Sequence, residues 1–256
     1  MNPQLQSTLK RLRLSGLLST LQVRLQEAAG NQLSHAEFLE LIVNDEIAIR
    51  NDRAIARRVK AARFRDLKSL EDFDFTFNPS IKRREMMELA TCHFIREHRD
   101  ILFTGPPGVG KSHLAQAIGH QAARVGYTVM YRSIFDAVGE LSQAEAFNES
   151  PKSLRRYLAP DLLIIDDMGL KKLPKNSGEH LFEIMMRRYE LRSTIMTSNR
   201  PLEEWGKLIG DVPTATAILD RFLSRAEVFQ IVGKSYRLKD KACKQNRENG
   251  KDLKPH

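Results

Sequence analysis

The stretch Gly105-Pro106-Pro107-Gly108-Val109-Gly110-Lys111-Ser112 limits the folds open to this chain more than any other feature. It has the form G-x-x-x-x-G-K-[ST] and stands between an apolar run, Ile101-Leu102-Phe103-Thr104, and a helix-forming run over Lys111–Val125 that Gly126 closes. In that setting the glycines let successive backbone amides curl around an anion, which side chains would obstruct. The start of the helix adds its positive end to the same anion. Such a loop suits the phosphates of ATP, with Lys111 facing the β- and γ-phosphates and Ser112 holding Mg²⁺. His113, in the first helical turn, completes the expected nucleotide-contacting set.

Further on, Leu162-Leu163-Ile164-Ile165-Asp166-Asp167 is an apolar strand that ends in two carboxylates. A buried strand of an open α/β sheet delivers its last residues to the carboxyl edge, where such sheets bind ligands. Asp166 is expected there as the partner of Mg²⁺ through its water shell, and Asp167 as the group that orients or deprotonates the attacking water. A third run, Thr194-Ile195-Met196-Thr197-Ser198, ends at Asn199. An amide there can place the water, or it can simply cap the turn that Arg200-Pro201 begins. The local sequence leaves both open.

Strand patterns at 100–104, 128–132, 162–166 and 194–198 alternate with helical ones, which implies a parallel sheet with helices on both faces. Residues 1–68 read differently. Leu5, Leu9, Leu12, Leu17, Leu18, Leu21 and Leu25 form a helical stripe over 3–29 that Gly30-Asn31 closes. Ser34 and Glu37 then have the spacing of a capping box at the head of a second helix, which turns basic from Arg50 to Lys68. An antiparallel helix pair is expected here, serving assembly or a partner. Residues 69–80 are read as a linker whose Phe73, Phe75 and Phe77 pack onto the next domain, which spans 81–238 and opens with a helix over 81–98. The tail, 239–256, is charged and poor in apolar residues and is expected to be disordered.

Among the 256 residues, no apolar run approaches the ~20 needed to cross a bilayer. The N-terminus has no apolar core of the secretory kind. Cys92 and Cys243, the two cysteines, fit neither a metal spacing nor a disulfide framework. A cytoplasmic location is expected. The formal net charge of +9 favours a polyanionic partner. Three basic clusters compete for it: Arg50 to Lys68, Lys152-Arg155-Arg156, and Lys234 to Lys254. Each can equally be a solvated face. Lys171-Lys172 and Arg187-Arg188 read as surface.

The segments GPPGVGKS, LLIIDD and TSN, in this order and spacing, resemble the AAA+ ATPases. The IstB and DnaC group, insertion-sequence helpers and helicase loaders, is most similar. Ala217-Ile218-Leu219-Asp220-Arg221-Phe222, Lys234-Ser235-Tyr236-Arg237, the leucine-rich N-terminal helices and FDFTFNPSI extend the likeness to all but the charged tail. The resemblance implies a sensor role for Asn199, an arginine finger at Arg221 acting in trans on the neighbouring subunit, and a second sensor, in cis, at Arg237. Without it, Asp220-Arg221 reads as a surface ion pair and Arg237 as one more basic residue near the tail. Many enzymes of this type carry Glu where this chain has Asp167, whose shorter side chain is expected to weaken hydrolysis. A helical element after the second core strand lines a DNA channel in the initiator and loader branch, which points to Arg132, Lys152, Arg155 and Arg156 as contacts with the phosphate backbone.

The function implied is that of an ATPase that oligomerises on duplex DNA and recruits and stimulates a partner transposase. A helicase loader acting on single strands is the alternative. A small-molecule P-loop kinase would need a lid and an acceptor pocket that the sequence does not offer. A non-hydrolysing nucleotide switch is disfavoured by the set Lys111, Asp166, Asp167, Asn199 and Arg221.

Overall fold

From Asp100 onward the alternating runs form a five-stranded, all-parallel sheet in the order β2-β3-β4-β1-β5, seen in a computed structural model that describes residues 2–169, 173–174 and 177–238. Its strands are β1 (Asp100–Thr104), β2 (Val129–Ser133), β3 (Leu162–Met168), β4 (Ser193–Ser198) and β5 (Ala226–Gln230). The chain divides into two compact units between Arg57 and Arg58.

In the first unit the leucine stripe is broken into α1 (Pro3–Arg11) and α2 (Ser15–Asn31), where one helix over 3–29 was expected. Arg13 is left-handed at φ 57°. The amide of Leu17, in the uncapped first turn of α2, donates to Glu46 Oε2 at 2.9 Å. Gly16 lies so close to α3 (His35–Ala62) that a Cβ would sit 2.9 Å from Glu46 Cα. The break thus serves a contact with a residue far along the chain. Leu9, Leu17, Leu21 and Ile42 form the small core, and Arg24 pairs with Asp45 at 2.9 Å. The capping box forms as its spacing predicts: Ser34 N donates to Glu37 Oε2 at 2.8 Å, and Glu37 N to Ser34 Oγ at 3.3 Å. The left-handed stop falls on Gln32 rather than Gly30-Asn31. At its far end α3 crosses into the second unit and stops at Ala62, because Arg63 turns left-handed. The expected continuation to Lys68 does not form.

In the second unit, successive residues of each strand feed opposite faces, as a period of two requires. Ile101, Phe103, Leu162, Ile164 and Ile195 pack with α6 (Lys111–Val125). Leu102, Leu163, Ile165 and Met196 pack on the other face with α7 (Ile134–Ala146), α8 (Ser150–Leu158), α9 (Ser177–Arg188), α10 (Trp205–Ile209) and α11 (Val212–Leu223). Both faces are covered, as parallel sheets demand. The helix expected over 81–98 is two, α4 (Arg83–Ala90) and α5 (His93–Arg96), parted at the buried, left-handed Cys92. Strand β5 had no sequence signal. It is an edge strand that pairs with β1 from Asp100↔Ala226 to Thr104↔Gln230, and it is largely exposed.

Arg188 corrects another expectation. It is 1% exposed, and its guanidinium donates to the carbonyls of Tyr157 at 2.9 Å, Pro160 at 2.9 Å and Ser193 at 2.5 Å. Lys171-Lys172 and the charged tail from Lys239 lie outside the described residues. Among those described, no helix is long and apolar enough to cross a membrane.

Candidate functional site

Strands β3, β4 and β1 are neighbours, so their carboxyl ends bring three segments of chain together: the loop from Gly105, Asp166-Asp167, and Asn199. Two backbone bonds fix the junction, Gly105 N to Ser198 O at 3.2 Å and Asn199 N to Met168 O at 2.8 Å. The loop itself needs its glycines twice over. Gly105 and Gly108 have φ 147° and 83°, and a Cβ on them would lie 2.0 Å from Ile231 O and 2.1 Å from Ser235 Oγ. The segment after β5 therefore straps the loop, held by Ile231 N to Thr104 O at 2.7 Å and Tyr236 N to Gly108 O at 2.9 Å.

Helix α6 starts at Lys111, after Gly110 at its N-cap, with no side-chain cap and no acid in its first turn. Its first amides and Lys111 thus present positive charge to the loop. Lys111 is buried, and its Nζ donates to Gly105 O at 2.8 Å and Pro106 O at 2.7 Å. Burial pushes its pKa down to about 8, against the opposing pull of Asp166 and Asp167.

Asp166 is fully buried and accepts three hydroxyl donors: Ser112 Oγ at 2.9 Å, Tyr131 at 2.5 Å, and Thr197. Burial raises the Tyr131 phenol, and the carboxylate beside it raises it further. Next to it, Asp167 sits in a left-handed conformation at φ 65°, its amide donating to Thr197 Oγ1 at 3.0 Å. Burial and the neighbouring Asp166 raise its carboxyl, against Arg65, Arg237 and Lys111. Arg65 Nη1 lies 3.6 Å from the Asp167 carboxylate.

Around these groups opens a cavity of about 750 Å³, within the ~300–1,000 Å³ usual for small-molecule sites. Lys111, Ser112, His113, Asp167, Asn199 and Arg237 line it together. So do residues that motif reading did not single out as contacts: Arg65, Phe73, Phe77, Asn78 and Tyr236. Phe73 meets His113 edge-on at 5.1 Å, Phe77 meets Tyr236 at 5.0 Å, and Asn78 Nδ2 donates to Val109 O at 2.9 Å. The aromatic alternation of 73–77, the segment FDFTFNPSI that holds Asn78, and Lys234-Ser235-Tyr236-Arg237 were the sequence signals for these walls. Nothing local marked Tyr131, and Thr197 entered only within the segment TSN, with no contact assigned to it. Asp166 and Ser112 offer hard oxygen donors with a single carboxylate, which fits Mg²⁺ completed by phosphate and water. No cluster of three or more His, Cys, Asp or Glu side chains forms a self-sufficient metal cage among the described residues.

Arg221 is not brought to this cavity. It projects from α11, exposed, with its guanidinium 5.5 Å from the centre of the Tyr189 ring.

Residues 7–244 match the profile of the family described as IstB-like ATP binding protein. The chain belongs to that family. It is 39% identical over 221 residues to a protein assigned as the ATP-binding protein of insertion sequence IS5376 in Geobacillus stearothermophilus, covering 86% of this chain and 88% of that one. Its identity to the corresponding protein of IS21 in Pseudomonas aeruginosa is 37%, over 93% and 90% of the two chains. Membership makes the chain an ATP-binding protein and an ATPase.

Its fold is similar to that of solved AAA+ structures. The replication initiator DnaA, bound to AMPPCP and single-stranded DNA, superposes with a TM-score of 0.57 at 23% identity, over 73% of this chain and 57% of that one. The DnaC helicase loader gives 0.55 at 23% identity, over 67% and 100%.

For an IstB-like protein the depressed pKa of Lys111 has a measurable consequence. A polyanion in the loop restores the pKa of the lysine, so binding takes up a proton once the free protein has lost it. ATP affinity, read by calorimetry, is expected to hold below pH 8 and to weaken by up to about ten-fold per pH unit above it. A flat profile from pH 7 to 9.5 would contradict this.

The basic residues separate by geometry. Lys152, Arg155 and Arg156 are exposed on α8. Arg132, at 9% exposure, is instead spent inside, donating to Glu140 Oε1 at 3.0 Å and Tyr131 O at 2.7 Å. Glu140 also accepts from Tyr157 of α8 at 2.8 Å. Arg132 therefore braces α8 from beneath rather than extending its exposed charge.

Proposed function

We propose that the chain is the ATP-dependent assembly factor of an insertion sequence, joining with further copies on duplex DNA to recruit and stimulate a partner transposase. One observation carries the shared-site part of this reading. Lys111, Ser112, Asp167, Asn199 and Arg237 line one cavity, with Asp166 directly behind Ser112, while Arg221 of the same chain stays outside it. A site short of one arginine on the chain that builds it is suited to completion by a neighbour. The names of the relatives, ATP-binding proteins of insertion sequences, support the transposition setting.

Within the site, the loop amides and Lys111 bind the phosphates of ATP, and Ser112 and Asp166 hold Mg²⁺. When bound, Mg²⁺ neutralises charge that develops on the phosphate oxygens. Asp167 and Asn199 orient the attacking water, and Asp167 accepts its proton. Arg237 faces the phosphates in cis. Arg221 of the next subunit supplies the permanent charge and planar donor fork that a transferring phosphoryl group attracts. The exposed face of α8, with Lys152, Arg155 and Arg156, contacts the DNA backbone, while Arg132 keeps that helix in place.

The test is electron microscopy of the protein with duplex DNA, comparing ATP with ADP. Assemblies that form on duplex in ATP and not in ADP support the reading. Assembly on single strands alone would favour the loader reading instead. The triple variant Lys152→Ala, Arg155→Ala, Arg156→Ala is expected to weaken duplex binding and to flatten its salt dependence by a log–log slope of about 2–3. An unchanged slope would exclude α8 as the contact surface.

A further inference from the structure

An arginine that completes a neighbour's site must keep its N–H donors unspent and still point one way. An exposed arginine ordinarily lacks direction, because its long side chain carries much rotamer freedom. Arg221 is exposed, yet its guanidinium lies over the Tyr189 ring, 5.5 Å from the centre. Among the described residues that guanidinium enters no salt bridge and no hydrogen bond, so Asp220-Arg221 is not the ion pair that the bare sequence suggests. Glu190, the carboxylate next to Tyr189, is taken by Arg225 at 3.2 Å.

Tyr189 stands directly after α9, on a turn that the buried Arg188 anchors. Leu191 N and Arg192 N both donate to Arg188 O at 3.0 Å, and Tyr189 N donates to Met185 O at 2.9 Å. The Arg188 side chain is itself held inside by the carbonyls of Tyr157, Pro160 and Ser193. Helix α11 packs on α9 and is pinned by its buried Ala215, Ile218 and Phe222. The Ser224 hydroxyl, which donates to Arg221 O at 2.8 Å, lies 3.4 Å from the Tyr189 hydroxyl. The ring and the helix that bears Arg221 are thus fixed to each other. An aromatic face attracts a cation through its quadrupole and takes none of the in-plane N–H donors. A carboxylate in its place would occupy the donor fork.

We propose that Tyr189 is the positioning residue of Arg221, holding the guanidinium at the subunit surface, with its donors unspent, where it meets the phosphates of the next subunit's ATP. Tyr189 does not line the nucleotide cavity of its own subunit. It acts through Arg221 alone, and on a neighbour's site rather than its own. This rests on the reading of Arg221 as the group that completes that site.

The test measures ATP hydrolysis by the full chain on linear duplex DNA. Tyr189→Leu removes the π face and is expected to lower kcat about two- to five-fold, the worth of one exposed cation–π contact. KM and ATP binding by the isolated chain stay at their wild-type values. Tyr189→Phe keeps the ring and stays within about two-fold of the wild-type rate. The side on which Tyr189 acts is read in mixtures of Lys111→Ala with Arg221→Ala, where turnover needs the nucleotide site of the second and the arginine of the first. Tyr189→Leu added to the Lys111→Ala chain is expected to lower the recovered rate by the same factor. Added to the Arg221→Ala chain, which has no arginine to position, it leaves that rate as it was. A general disturbance of the fold would act from either chain alike. Equal loss from both, no loss from either, or a gain in rate would overturn the positioning role. No recovery in the parent mixture, or full hydrolysis by Arg221→Ala alone, would instead remove the shared site, and the role of Tyr189 with it.

Discussion

Arg221→Ala is expected to lower ATP hydrolysis of the DNA-assembled protein by about 10³–10⁵-fold, while ATP binding by the isolated chain is unchanged. The guanidinium lies over Tyr189 at 5.5 Å, outside the cavity that Lys111 and Asp167 line, so its removal disturbs nothing its own subunit offers the nucleotide. The decisive version mixes two inactive proteins. Lys111→Ala removes the phosphate-binding ammonium but keeps Arg221, and Arg221→Ala does the converse. In random equimolar assemblies, about a quarter of head-to-tail interfaces join an intact Lys111 to an intact Arg221. Hydrolysis should recover toward that fraction of the wild-type rate. No recovery, or full activity of Arg221→Ala alone, would rule out a site shared between subunits.

Asp166→Asn should cost about 10²–10³-fold in rate, with little loss of thermal stability. Three hydroxyls converge on this buried carboxylate, from Ser112, Tyr131 and Thr197. Each hydroxyl can donate or accept, so an amide in its place is still satisfied by reversing one of them. What the amide cannot restore is the negative charge beside Ser112 that suits a hard cation. The loss is expected in turnover and in the Mg²⁺ concentration needed for it, not in the melting temperature. Tyr131→Phe deletes one donor of three and leaves the charge, so its rate should stay within about ten-fold, the scale of one hydrogen bond. Parallel ATPase assays and Mg²⁺ titrations check both. Asp166→Asn turning over as fast as Tyr131→Phe would contradict the argument.

Several surprises share one physical cause. Arg13, Arg63 and Cys92 are left-handed residues that break helices which periodicity alone would continue. A residue other than glycine is held in that conformation by what packs around it, and in α2 the reason is visible: Glu46, from α3, takes the place of a preceding turn at the amide of Leu17. Arg132 and Arg188 look like surface charge in the sequence and are buried, because Glu140 and a set of backbone carbonyls lie where the chain returns to them. Strand β5, half polar and exposed at the sheet edge, exists through its ladder with β1.

The sequence by itself determined the parts whose physics is local. Gly105 to Ser112 fixes a phosphate loop, since glycine conformations and a helix start are properties of adjacent residues. The apolar run ending in Asp166-Asp167 fixes a buried strand with carboxylates at its end, and the Ser34–Glu37 spacing fixes a cap. Tertiary structure alone decided how those parts become a site. It brought β3, β4 and β1 side by side, set Tyr131 and Thr197 on Asp166, closed the loop under the strap from Ile231 to Tyr236, and placed Arg65 against Asp167. Each of these contacts joins residues far apart in the chain, and its energy comes from burial and hydrogen bonding that exist only once the sheet has formed.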